Sequence, residues 1–267
     1  MIETIAKGLY ILAPMPTPQT KEPVNSTERT LDVEPTVKRV VDVLEEEIVL
    51  GFLHPRERLV EDELLSRFEL KRHVVRQVLV ELERMGLVER KRNIGALVKA
   101  YSIEEVQHLY AVRELLECNG VALILLPVSA DRLAPLLDIQ RQHDEAVEAG
   151  DLRRTFRLNV TFHRQFFSLS DNPVLVEAIQ AHAQRAHSIR ASTFVMPEQL
   201  ERARQEHWQM IGALQSGDRE RLVFLCREHL KPSRDAYIDA YRRRTKSDLP
   251  LSRDAAASVP GLLKDLG

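Results

Sequence analysis

The apolar period of this chain changes once, just after Gly86, and that change limits the first hundred residues to very few folds. From Pro35, "TVKRVVDVLEEEIVLGFL" places Val37, Val40, Val41, Leu44, Ile48 and Val49 on one face and stops at Gly51. After "HPRERL" come two shorter helical patterns, "EDELLSRF" and "RHVVRQVLVELERM", the second turning Val75, Val78, Leu79 and Leu82 inward. Past Gly86, "LVERKRNIGALVKA" carries two short apolar runs, Leu87 to Val88 and Ala96 to Val98, around a basic turn with Gly95, which is the pattern of a small β-hairpin. Three helices followed by a hairpin predict a winged helix-turn-helix over residues 35–99.

Everything downstream reads as helix. Ser102 with Glu105 forms a capping box ahead of an apolar pattern that ends near Pro127. A second helix runs from Asp131 to Ala149 and closes at Gly150, and Asp151 caps a third. Asn172 and Pro173 restart the chain for a fourth, a fifth runs from Pro197 to Ser216, and a sixth begins at Asp218 with a bend or break expected at Pro232. The fold class is therefore mainly α, a winged helix-turn-helix followed by an all-α six-helix bundle over residues 100–245. Residues 1–34, rich in Pro, Thr and charge, are expected to form a flexible arm, and residues 246–267 a flexible tail.

Bulk composition narrows the class less than local pattern does. With 38 basic and 40 acidic side chains the total charge supplies no pull toward nucleic acid or membrane, so any such pull must be local. The longest apolar run, "GVALILLPV", is too short to span a bilayer, and no signal peptide pattern opens the chain, so a cytoplasmic protein without membrane attachment is expected. Cys118 and Cys226 sit among apolar helical neighbours and read as buried free thiols.

The local pull lies between Arg67 and Arg92, where eight basic side chains face four acidic ones. Lys71, Arg72, His73 and Arg76 cluster in the first turns of the expected recognition helix, where side chains reach base edges and phosphates in a major groove. Arg92, ahead of Gly95 at the hairpin tip, is placed to reach a minor groove or the backbone. One small domain reads few base pairs, so a homodimer on an inverted repeat of operator DNA is expected.

Three histidines recur on apolar helical faces. His163 lies in line with Phe156, Val160 and Phe167, with Asn159 one turn before it; His207 accompanies Leu200, Ala203, Met210 and Leu214; His229 accompanies Leu222, Leu225 and Cys226. A single such histidine is more often a hydrogen-bonded core residue than a ligand. Three together are satisfied at once by one divalent ion, and neutral imidazoles suit zinc or nickel. A three-histidine ion with an open position is also a hydrolytic design, so a metal-dependent hydrolytic enzyme is the alternative. It lacks an evident base, because Glu206 points about 100° away from His207 around the helix.

The stretch "RERLVEDELLSRFELKRHVVRQVLVELERMGLVERKRNIGALV" resembles the winged-helix signature of the GntR superfamily of bacterial transcriptional regulators. It departs where the family usually shows Ser-Arg-Thr-Pro-Val-Arg and this chain has Lys71 to Arg76. Glu69 and Arg56 likewise stand at positions where the family usually has Gly. Residues from about Ser102 to Arg244 resemble the FCD ligand-binding domain of the FadR branch. The resemblance implies metal ligands Asn159 (in place of the family's Asp), His163, His207 and His229. It also implies a small organic acid as effector, whose carboxylate Arg113 of "VRELLE" would clamp; a salt bridge from Arg113 to Glu117 is the equal alternative. The implied function is a ligand-responsive transcriptional regulator and not an enzyme.

Overall fold

The computed structural model describes residues 33–247. Helix α1 (Val33–Val49) is followed by strand β1 (Arg58–Leu59), α2 (Glu61–Phe68), α3 (Arg72–Arg84) and the hairpin strands β2 (Val88–Lys91) and β3 (Gly95–Val98). The helical domain comprises α4 (Ile103–Ala122), α5 (Ala130–Glu148), α6 (Leu152–Ser168), α7 (Pro173–Arg185), α8 (His187–Phe194), α9 (Pro197–Ser216) and α10 (Arg219–Ser247). The expected arm and tail lie outside the described residues except at their inner ends, where Val33 and Glu34 open α1 and α10 runs to Ser247.

The hairpin pairs antiparallel, Val88 with Val98 and Lys91 with Gly95, and Arg92, Asn93 and Ile94 make its tip. Arg58 and Leu59 add a third strand against Leu97 and Ala96, so the sheet order is β1-β3-β2. Val40, Leu44, Ile48, Val75, Val78, Leu82 and Val98 are almost wholly buried and form the head's core. Their burial is worth roughly 1.5–3 kcal/mol for each large side chain.

Arg56 and Glu69, at the two places where the family's Gly is missing, both take left-handed backbone, with φ of 73° and 52°. The turn geometry is thus kept without the residue that adopts it most easily. Helix α3 likewise keeps its start although Lys71 makes no side-chain cap bond.

In the helical domain the caps fall where the sequence places them. Ser102 and Glu105 complete a capping box, Asp151 accepts from the Arg154 amide, and Asn172 accepts from the Leu175 amide. Phe162, Phe166, Leu136, Ile124, Met210, Ile211 and Leu214 fill the centre of the domain. One helical expectation needs correction. The helix restarting at Asn172 divides at the fully buried Ala186 into α7 and α8. Of the bend or break expected at Pro232, the break does not occur: the last helix continues through the proline, with Leu230, Tyr237 and Ile238 buried and the Tyr110 and Ser233 hydroxyls 2.8 Å apart.

Head and helical domain share buried contacts. Val49 and Leu50 from the end of α1 pack with Phe156, Phe194 and Leu200. Glu46, 2% exposed, ion-pairs with Arg153 at 3.0 Å and with Arg157. Tyr101 donates to the Gly86 carbonyl at 2.7 Å, and a Cβ at Gly86 would stand 2.9 Å from that hydroxyl. The end of α3 is therefore fixed against the first residues of the helical domain.

Candidate metal centre and nucleic-acid interface

Lys71, Arg72, His73 and Arg76 are exposed on the start of α3, while Val74, Val75, Val78 and Leu79 on its other side are buried. Arg72 contacts Asp62 at 3.1 Å and Arg76 lies 3.7 Å from Glu61, so both guanidiniums lean on acidic residues of the preceding helix. These pairs are exposed and therefore weak. Arg76, Arg92 and Gly95 line one shallow hollow between α3 and the hairpin, together with Arg90, Lys91 and Asn93. Arg76 of the helix and Arg92 of the wing thus border the same hollow, which Glu61 and Glu83 also line.

The three histidines converge. The His163 ring centroid lies 5.1 Å from those of both His207 and His229, which are 5.2 Å from each other. One ring nitrogen from each falls within 4.8 Å of the others. Burial, followed by the neighbouring imidazoles, holds His163 and His207 well below the ordinary imidazole range, so both are neutral and able to bind metal.

Hydrogen bonds fix how two of these rings face. Gln140 donates to Asp144 at 2.7 Å, which turns its carbonyl oxygen to His207 Nδ1 at 3.0 Å. His207 therefore carries its proton on Nδ1, and its Nε2 is left buried without a partner among the described residues. Glu206 accepts from His229 Nδ1 at 2.6 Å, which leaves His229 Nε2 3.3 Å from His163 Nε2. Burial opposes the charge of Glu206, but the bonds from His229 and Arg202 outweigh it and hold the carboxyl below its usual range. This is the arrangement of ring nitrogens steered by outer carboxylate and amide partners that metal sites use, so the residues fit a divalent ion. Asn159 is buried one turn before His163 and shares a cavity of about 60 Å³ with His229 and Glu206.

The sequence reading placed Val160 inward with His163; it is 38% exposed instead. The buried face of α6 passes through Phe156, Asn159, Phe162 and Phe166, so His163 sits at its margin, only partly buried. There it borders a second cavity of about 320 Å³, shared with Arg113, Glu117, Arg190, His187 and Arg84.

Arg113 is 4% exposed, bonds Glu117 at 2.9 Å and stacks 4.9 Å from the Tyr110 ring. Although burial opposes its charge, Glu117 holds its pKa above the usual value. Arg190 differs: among the described residues no carboxylate lies within ion-pair distance of it, and burial, with the charge of Arg113, lowers its pKa. The cavity therefore holds a cationic group whose charge is poorly compensated.

Sequence reasoning missed His143, Gln140, Arg190 and His187. His143 was detectable, since it continues the Leu133, Leu136 and Ala146 face of α5. Arg190 and His187 carried no such signal, because their setting depends on the break at Ala186.

A model of the FCD domain matches residues 108–232, and a model of the bacterial regulatory proteins of the gntR family matches residues 36–98. The chain is 22% identical over 198 residues to the HTH-type transcriptional repressor RspR of Escherichia coli K12, covering 74% of this chain and 87% of that one. It is 25% identical over 221 residues to a probable D-xylose utilization operon transcriptional repressor of Paenarthrobacter nicotinovorans, covering 81% and 93%. Its fold matches that of a GntR-type protein of Rhodococcus sp. RHA1, with a TM-score of 0.65 at 23% identity over 77% of this chain and 99% of that one. E. coli McbR/YncC gives a TM-score of 0.66 at 20% identity over 77% and 98%. Among the described residues no helix is long and apolar enough to cross a membrane.

Proposed function

Since the chain belongs to the GntR family of bacterial regulatory proteins and carries an FCD domain behind its winged helix, we propose that it is a metal-containing, ligand-responsive regulator of the FadR type. Two copies bind an inverted repeat of operator DNA, with Arg72 and Arg76 in the major groove and Arg92 at the wing. Lys71, His73 and Gly95 complete that face. His163, His207 and His229 hold one zinc or nickel ion, with Asn159 at the remaining protein position. When bound, the ion supplies a Lewis-acidic anchor for an anionic oxygen.

The effector is a small organic acid that enters the 320 Å³ cavity, where Arg113 and Arg190 supply the positive charge. One observation carries the reading: the wall of that cavity holds His163 of the histidine triangle and also His187, whose Nδ1 lies 2.7 Å from Glu45 on α1 of the DNA-binding head. A ligand that contacts this wall has a direct mechanical route to the head. It shifts the head only to the extent that it binds the two arrangements with different affinity.

The hydrolytic alternative is less well supported, because Glu206 is engaged by His229 at 2.6 Å and by Arg202 at 2.7 Å, which suits an orienting role over water activation. A zinc titration followed by DNA binding with and without metal tests the proposal. Stoichiometric zinc together with metal-dependent affinity for a selected operator is expected, and hydrolytic turnover without DNA binding would reverse it.

A further inference from the structure

A fourth imidazole stands beside the triangle with nothing to bond. His143 on α5 is 1% exposed, and its Nδ1 is buried without a hydrogen-bond partner among the described residues. Its ring centroid lies 5.3 Å from that of His207, yet its nitrogens fall outside the group that gathers within 4.8 Å. His143 is therefore not one of the three rings that converge on a single point. Its placement does suit a hydrogen bond to an atom bound to the ion, since a metal–oxygen bond of about 2 Å and a hydrogen bond of about 3 Å add in series.

His143 lines the 60 Å³ cavity together with Asn159, Glu206 and His229. This volume suits one carboxylate group or about two waters. The cavity's carboxylate, Glu206, is already engaged by His229 and Arg202. Its walls also carry the Arg190 guanidinium and the Asn159 and Gln199 amides, and beside the histidine triangle they place the His143 imidazole, which offers one N–H and one lone pair. Two buried nitrogens, His143 Nδ1 and His207 Nε2, on rings whose centroids lie 5.3 Å apart, thus lack partners among the described residues. An ion on His207 whose outer ligand meets His143 satisfies both.

We infer that His143 anchors the exogenous ligand of the metal centre, holding by hydrogen bond a carboxylate oxygen bound to the ion. The inference rests on the metal-binding reading above and deepens it: His143 acts on the ligand and not on the ion. It gives the organic acid a fixed point at the ion in addition to the cationic groups of the larger cavity.

The full chain loaded with cobalt(II), whose visible absorption reports its ligands, is titrated with acetate as the smallest carboxylate probe. His143→Phe should retain one cobalt per chain with an affinity within about threefold of the parent, while acetate affinity falls at least about tenfold. His143→Gln, which keeps a hydrogen-bonding amide, should lose less, and it carries the test if the Phe variant fails to fold. Unchanged acetate affinity in the folded variants would overturn the inference. So would a loss of cobalt affinity of about tenfold or more, which would show that His143 acts on the binding of the ion itself and not on its exogenous ligand. Failure of the parent chain to bind cobalt at all, seen before any acetate is added, would instead overturn the metal reading and this inference with it.

Discussion

His187 Nδ1 lies 2.7 Å from Glu45 Oε1, with both side chains largely buried, and this pair joins the wall of the 320 Å³ cavity to the first helix of the DNA-binding head. Removing one partner leaves the other buried without a bond, at a cost of about 1–3 kcal/mol. Glu45→Ala and His187→Leu should therefore each lower thermal stability. Calorimetry should also show the head and the helical domain melting further apart than in the parent chain. A single transition at the parent temperature in both variants would deny the pair any linking role.

On the DNA face, Arg72→Ala and Arg76→Ala should each weaken binding to a selected operator by about 1–3 kcal/mol without disturbing the fold. Their contacts with Asp62 and Glu61 compete with DNA, so Asp62→Asn and Glu61→Gln should strengthen binding, most visibly at low salt. Fluorescence anisotropy across a salt series reads both effects. Parent affinity in the Arg72/Arg76 double variant would remove the assignment of α3 as the reading helix.

Backbone strain at the head yields a stability prediction. Arg56 and Glu69 occupy left-handed backbone at about 1–2 kcal/mol each, and Gly relieves that while losing about 0.5–1 kcal/mol in chain entropy. The Arg56→Gly, Glu69→Gly double variant should be about 1 kcal/mol more stable in denaturant melts. A lower midpoint would show that the two side chains contribute more than their backbones cost.

Much of this molecule was legible from local pattern. The capping box at Ser102, the caps at Asp151 and Asn172, and the period-two runs around Gly95 are decided by residues within a few positions of each other. The convergence of His207 and His229 was legible because each interrupts an apolar face that is buried, whereas His163 lies at the margin of its buried face, beside the exposed Val160. What stayed hidden depends on distant partners. Arg58 and Leu59 form a strand by pairing with the edge of β3, and the division between α7 and α8 falls at Ala186, which is fully buried. His187 and Glu45 are 142 residues apart. Arg113 illustrates the middle ground: its bond to Glu117 follows from i, i+4 spacing, whereas its place on a cavity wall does not.

Acid should weaken the metal-free protein. Burial lowers the His143 pKa to about 4, with His229 and Arg204 adding to the depression and Asp144 opposing it, while the unfolded chain titrates near the ordinary value of 6.5. Between these values the unfolded state binds more protons than the folded state, so stability rises with pH and is lost as pH falls from about 7 toward 4. His143 alone accounts for about 3 kcal/mol across that window, and His163 and His207 act in the same direction. Denaturant melts of chelator-treated protein at pH 7 and pH 5 read this directly. Equal stability at both would mean that these rings are solvated, not buried.

Around the histidines, the outer partners should matter almost as much as the ligands. Glu206→Gln removes the carboxylate that orients His229 and should weaken metal affinity about 10- to 100-fold. Asn159→Asp adds a negative charge to a set of neutral donors and should tighten it. Competition against a chromophoric chelator measures both. An Asn159→Asp variant that binds no more tightly would place Asn159 outside the ligand set.

The most direct test is elemental analysis of protein purified without chelator, repeated after zinc or nickel is added and the excess removed. The account predicts close to one ion per chain in the parent protein and strong loss in His207→Ala, whose ring otherwise leaves Nε2 buried without a partner. Less than about a tenth of an ion per chain in both parent preparations would contradict it and return the three histidines to the role of core residues.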